Sequence, residues 1–250
     1  MPAPFKWTEK QREEMIIAYR RGEGVLAIAK RFHVRHESVS LLLKERGINL
    51  RTHQGSTICN DAYFSEIDTE EKAYWLGFLT ADGCITTDNR ISIRLSSKDV
   101  QHLYKFRNAL NASQKVSQNE RACQFVICSP KMVADLASHG ILPRKTFSIK
   151  PADIVPELAR HYWRGVIDGD GYISKDRGKL TLVGSYEIVL GFQKFVFSHY
   201  TKVKACVTRK ENIYQLQLHG AGIVRRMLEV LYEDATVYLE RKYERARSVF

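Results

Sequence analysis

Two stretches of this chain match each other at the positions where chemistry could sit. The first is Trp75-Leu76-Gly77-Phe78-Leu79-Thr80-Ala81-Asp82-Gly83, the second Trp163-Arg164-Gly165-Val166-Ile167-Asp168-Gly169-Asp170-Gly171. Each follows a tyrosine, Tyr74 or Tyr162, and ends in Asp-Gly. Each reads as the last turns of a mostly apolar helix, stopped by a glycine free to take the left-handed C-cap conformation. If the helices pack in parallel, Asp82 and Asp170 meet at two helix C-termini, each carrying about half a negative charge already. Two carboxylates there repel, and a divalent cation relieves the repulsion. Paired acids on a metal, in a chain this basic, point to phosphodiester chemistry.

What must position the acids is the packing of the two helices. Gly77 and Ala81 lie on one helix face, as do Gly165 and Gly169. Glycine inside a helix costs about 1 kcal/mol against alanine, so close approach of another backbone is the reason to expect for it. The plainer reading is two core helices with ordinary glycine ends. The match between copies at the aromatic, glycine and Asp-Gly positions argues against that reading.

At these residues the sequence resembles the LAGLIDADG homing endonucleases in their two-motif, single-chain form, over roughly residues 66–250. The first copy departs from the family name in carrying Thr80 where the name spells Asp. The resemblance assigns the chemistry to the acid before the final glycine, and both such acids are present. It implies an α+β fold of tandem pseudo-twofold αββαββα halves whose sheets form a saddle over the DNA major groove. It implies on the order of two or three Mg²⁺ ions, held by Asp82 and Asp170 near the carbonyls of Ala81 and Gly169. The product would be a double-strand break with 3′ overhangs at a long site, as in intron homing. The family also has a basic residue near each scissile phosphate. Arg144-Lys145 and Arg241-Lys242 recur in the two halves, which makes Lys145 and Lys242 the candidates. Ordinary surface lysines are the alternative.

The totals agree with an anionic partner. In 250 residues, 39 Lys and Arg against 28 Asp and Glu leave a net charge of +11 and a pI near 9.4. Nucleic acid is the simplest match, although charge alone would also fit a ribosomal or membrane-surface protein. Five cysteines without a C-x-x-C pair suggest free thiols in a reducing compartment and no zinc site. The early residues are charged and lack an apolar signal core, and no apolar run approaches the roughly 20 residues of a membrane span. The expectation is a soluble, intracellular monomer.

Residues 1–48 read as three short helices. Thr8 caps the first, which is anchored by Met15, Ile16 and Tyr19; the second covers Val25 to Phe32. After a turn at 33–36, the third runs from Glu37 to Arg46 with Val39, Leu42 and Leu43 inward. Ser38, Ser40, Lys44 and Arg46 fall on its open side, so the unit resembles a helix-turn-helix with its recognition helix in the major groove. Residues 1–60 hold 11 Lys and Arg against 6 Asp and Glu. A protein-contact module is the competing reading. Residues 49–67 are polar and aperiodic, as a linker would be.

The halves then span 68–155 and 156–250. In the first, Ile91, Ile93 and Leu95 alternate inward, and Arg90, Ser92, Arg94 and Ser96 outward; Gln124 also faces outward. In the second, strands over 203–209 and 213–219 turn outward Lys202, Lys204, Thr208, Gln215 and Gln217, and a last helix covers roughly 237–249. By the resemblance these residues face DNA; otherwise they form a solvated sheet face. Two other functions remain: a DNA-binding transcription regulator that does not cut, and a maturase that binds intron RNA and assists splicing. An intein is disfavoured by the absence of a splicing nucleophile or terminal His-Asn.

Overall fold

Thr8 opens the first helix with a reciprocal pair of bonds. Its hydroxyl accepts from the Gln11 N–H, and the Gln11 side chain accepts from the Thr8 N–H. The computed structural model describes residues 7–21, 23–48, 59–143, 149–174, 178–200 and 203–249. The chain divides into two units, Met1–Gly55 and Ser56–Phe250. The first contains α1 (Glu9–Arg20), α2 (Val25–Arg31) and α3 (His36–Glu45). Met15, Ile16, Tyr19, Ile28, Val39, Leu42 and Leu43 form its separate core. His33, at φ 53°, makes the left-handed turn that ends α2.

The second unit repeats one order of elements. Its first half is α4 (Glu70–Asp82), β1 (Gly83–Ile85), β2 (Arg90–Ser96), a 3₁₀ turn over Ser97–Asp99, α5 (Val100–Ala109), β3 (Ser117–Gln118), β4 (Ala122–Cys128) and α6 (Pro130–Ser138). Its second is α7 (Pro156–Asp170), β5 (Gly171–Ser174), β6 (Lys179–Gly184), α8 (Tyr186–His199), β7 (Val207–Lys210), β8 (Ile213–His219), α9 (Ala221–Tyr232) and α10 (Glu240–Arg247). Both sheets are antiparallel, in the orders β1-β2-β4-β3 and β5-β6-β8-β7. Gly83 pairs with Ile93 as Gly171 pairs with Leu182, so the halves are equivalent in register as well as in order. The α+β, two-sheet expectation therefore holds. Alternation holds too: Ile91, Ile93 and Leu95 are buried, and Phe125 and Ile127 meet them from β4.

The axis of this unit is the contact between α4 and α7. A Cβ on Gly77 would overlap the carbonyl oxygen of Tyr162, and one on Gly165 would overlap that of Tyr74 and stand 2.7 Å from the Phe78 nitrogen. Farther along, Gly169 lies against Ala81 and Asp82. The contacts advance together on both helices, so the helices run parallel and their C-termini meet. Only residues without side-chain bulk let two helix backbones come this close.

The structure corrects three expectations. Gly83 (φ −76°, ψ 137°) and Gly171 (φ −80°, ψ 156°) are extended, not left-handed. Each is the first residue of a strand that leaves straight from the helix end. A Cβ at either would stand 2.5 Å from the carbonyl oxygen of Leu79 or Ile167, so close approach selects glycine there. Residues 59–67 are not a tether: Tyr63 and Phe64 are buried in the core, and Asn60 N–H donates to the Leu110 carbonyl. Residues 49–58 lie outside the described residues. The last helix starts later than expected, at Glu240, because Leu239 turns its N–H into the core instead, to Asp168.

Gly165→Ala tests the contact. The added methyl meets main chain, which cannot swing aside, so a loss of about 3 kcal/mol in urea unfolding is expected. Gly222→Ala, with nothing within 4 Å of its added methyl, should change stability by between zero and about 1 kcal/mol in the stabilising direction. Equal effects would mean that the two helices do not touch through Gly165.

Candidate functional site

Asp82 and Asp170 are the last residues of α4 and α7, and the strand that follows each fixes its direction. The Asp82 carboxyl carbon lies 3.5 Å from the point where a Gly169 Cβ would sit. Each acid lines a recess with main chain from the other half: Asp82 with Gly169, Asp170 with Ala81. The first recess, of about 540 Å³, is bounded by Arg94, Ser96, Lys98, Asp99, Arg121 and Arg241; Arg241 Nε donates to Asp99 at 3.0 Å. The second, of about 360 Å³, is bounded mainly by Ile85, Val183, Gly184, Ile188 and Ile213.

Lys242 reaches the same seam from α10. It is buried, and its ammonium donates to the carbonyls of Ile167, at 3.1 Å, and Gly171, in close contact. Burial pulls its pKa down to about 8, against the attraction of Asp168, Asp82 and Asp170. The acid seam therefore contains a cation of its own. Contrary to the expectation from spacing, repulsion between the carboxylates does not by itself require a metal.

Behind the seam lie the polar locks of the helix pair. Tyr74 donates from α4 to Asp168 at 2.7 Å, and Tyr162 donates from α7 to Thr80 at 3.3 Å. Asp168 also accepts from Tyr232 at 2.6 Å and the Leu239 N–H at 2.7 Å. It is fully buried, and burial raises its pKa against these bonds. Arg164, likewise fully buried, donates to Glu70 at 2.7 Å, Val237 at 3.0 Å and Leu231 at 2.9 Å. His161 accepts from it; burial first, then Arg164, holds that imidazole down at about 4 and so neutral. Arg164 and Asp168 thus tie the segment before α10 to α7, which places Lys242. Their role went unread in sequence, where the only signal was a charge in an apolar run.

The outward residues of the first sheet share one face. Arg90 is exposed and paired with Asp88 at 2.8 Å, Arg94 is exposed opposite half-buried Gln124, Ser92 is half-buried, and exposed Ser96 caps the 3₁₀ turn. In the second sheet Thr208 is exposed and Gln217 half-buried; β7 begins only at Val207, so Lys204, also exposed, precedes the strand expected to carry it. Gln215 is a correction: between Val183 and Thr208 on the middle strand it is only 6% exposed. Lys145 and Lys202 lie outside the described residues. On α3, Lys44 is exposed and Ser38 half-buried. Half-buried Ser40 donates to the His36 carbonyl, and Arg46 is held by Glu9.

A carboxylate with main-chain carbonyls is a set of hard oxygen donors, the kind Mg²⁺ takes, with water completing its shell. Among the described residues no three His, Cys, Asp or Glu side chains cluster as a metal cage would need. The cysteines among them are free, and no helix among the described residues is long and apolar enough to cross a membrane.

No protein-family model and no curated protein matches the sequence. Solved structures match the fold. The LAGLIDADG meganuclease I-AabMI bound to uncleaved DNA is 14% identical, over 70% of this chain and 87% of that one, with a TM-score of 0.50. The LAGLIDADG homing endonuclease I-GzeII in complex with its DNA target is 11% identical over the same shares, also at 0.50. A full-length DUF199/WhiA protein from Thermatoga maritima matches at 14% over 77% of this chain and 66% of that one, at 0.49, too weak to weigh. The architecture of the second unit is thus LAGLIDADG-like.

Lys242 supplies a stability test. Its folded pKa of about 8 lies below the ordinary 10.5, so between those values the unfolded chain binds more protons and the group's contribution rises with pH. Going from roughly pH 7 to 9.5, the native chain should gain about 2 kcal/mol relative to Lys242→Met in urea unfolding. Parallel pH profiles would show that the ammonium is not buried.

Proposed function

We propose that this chain is a metal-dependent, site-specific DNA endonuclease that cuts both strands and leaves 3′ overhangs. The observation that carries the reading is the meeting of Asp82 and Asp170 at one seam, each beside main chain of the other half. The net charge of +11 suits a polyanion, and the fold is one in which DNA-bound endonucleases have been solved.

Asp82 and Asp170, with the carbonyls of Ala81 and Gly169, would hold Mg²⁺. Bound there, it would polarise a phosphoryl oxygen and acidify a water. Lys242 offsets the charge of the carboxylates from the buried side, which lets a phosphate approach. Arg90, Ser92, Arg94, Ser96 and Gln124 on one sheet, and Thr208 and Gln217 on the other with Lys204 ahead of β7, position the duplex through phosphates and base edges. The two halves in one chain serve the two strands, so the protein acts as a monomer. The three-helix unit adds a second DNA contact through α3, as a helix-turn-helix does, with Lys44 on a phosphate.

One observation favours a regulator that binds without cutting: the ammonium of Lys242 already sits in the acid seam. A site selected from a randomised duplex library separates the two readings. In Mg²⁺ the native chain should cut it. Asp82→Asn or Asp170→Asn should slow double-strand cutting by about two orders of magnitude and leave binding intact. Tight binding by the native chain with no break in either strand would establish the regulator.

Deleting residues 1–55 should weaken binding. It should also lower the slope of log affinity against log salt by about 1 for each phosphate that the unit had neutralised. Unchanged affinity and slope would remove the three-helix unit from the DNA interface.

A further inference from the structure

Among the described residues, the two recesses at the seam are related by the internal repeat but differ in charge. The one at Asp82 is lined by Arg94, Lys98, Arg121 and Arg241. Strand register supplies the counterparts of the first three. Ile93 pairs with Gly83 as Leu182 pairs with Gly171, and Arg94 faces Gln124 as Val183 faces Gln215. Counting outward, Val183 takes the place of Arg94, Glu187 that of Lys98 and Asn212 that of Arg121. Ser96 and its counterpart Ser185 each cap the turn that follows, accepting from the Lys98 and Ile188 N–H groups. Three cationic positions in one half are thus apolar, acidic and neutral in the other. Arg144, which repeats Arg241, lies outside the described residues, and Arg241 itself is partly neutralised by Asp99.

Resting on the endonuclease reading above, we propose that the strands are cut in a fixed order, the phosphate at Asp82 first, and that Arg94, Lys98 and Arg121 set that order. In each hydrolysis the water oxygen bonds to phosphorus and the P–O3′ bond breaks. The 3′-oxygen leaves with one water proton, and a 5′-phosphate remains. Negative charge builds on the phosphoryl oxygens and on the leaving oxygen as this happens. Cations already in place lower that barrier, and more so once the duplex covers the recess and excludes water. On the Asp170 side, apolar Val183 stands where Arg94 does and supplies no such charge. The barriers are therefore unequal, and a nicked duplex is an intermediate.

The test uses the full chain, Mg²⁺ and a selected site, carried on a supercoiled plasmid and on duplexes labelled on each strand in turn. Nicked circle should accumulate, with one strand cut about tenfold faster than the other. Lys98→Gln with Arg121→Gln should slow the fast strand about tenfold and bring the ratio of the two strand rates toward one. Val183→Arg with Asn212→Arg should speed the slow strand, a gain that misfolding cannot mimic. Equal rates on the two strands of the native duplex, or variants that shift both strands alike, overturn the proposal. Binding with no cut in either strand overturns the endonuclease reading itself and takes the strand order with it, a result distinct from equal cutting.

Discussion

The contact between main chain and main chain at Gly77 and Gly165 is the constraint from which the second unit follows. Each glycine sacrifices about 1 kcal/mol of helix propensity. In return the facing stripes of the helices are buried, Tyr74 and Phe78 on one side and Tyr162 and Val166 on the other. At roughly 1.5–3 kcal/mol for each large apolar side chain, that burial outweighs the glycine cost several times over. β1 and β5 start at the residue after each acid. One contact therefore sets the spacing of the acids and the placement of both sheets together.

Polar groups inside this contact make it specific. The hydroxyls of Tyr74 and Tyr162 cross to Asp168 and Thr80, which hold equivalent places in the two motifs. Thr80 satisfies itself further on the Leu76 carbonyl. Asp168 has more capacity to accept, and it gathers Tyr232 and Leu239 as well. A fully buried carboxyl is tolerable only because donors surround it. The difference between Thr and Asp is thus where the repeat breaks, and the C-terminal segment of the second half docks at the break.

Much of this was legible because period and repeat are local properties. Alternation placed Ile91, Ile93 and Leu95 inward, and the doubled Asp-Gly motif located both central helices. What was misread involved distance. Glycine after Asp82 or Asp170 suits a left-handed cap and a tight helix-to-strand exit equally, and composition does not separate them. Tyr63 and Phe64 sit in a polar stretch, yet the core reaches them. Gln215 points to the outward face by parity, but its cross-strand neighbours leave it buried. Arg164 is visibly a charge among apolar residues, while its partner Glu70 belongs to the other motif helix. Lys242 was singled out as a candidate beside a scissile phosphate, but its burial was not foreseen, because it depends on Asp168 drawing the preceding turn inward.

Lys242 changes what the acid seam means. An ammonium can offset two carboxylates, but it has no lone pair when charged and no open coordination position, so it cannot act on a phosphoryl oxygen as a Lewis acid does. Its hydrogen bonds to Ile167 and Gly171 satisfy carbonyls at the end of α7, where the helix dipole is negative. It therefore works from the buried side, while Asp82 and Asp170 line the two recesses. A lysine held behind the paired acids offsets their charge without lining either recess. An arrangement that served only to fold the helix ends would have no need of two carboxylates there, since carboxamides in both places would remove the repulsion outright.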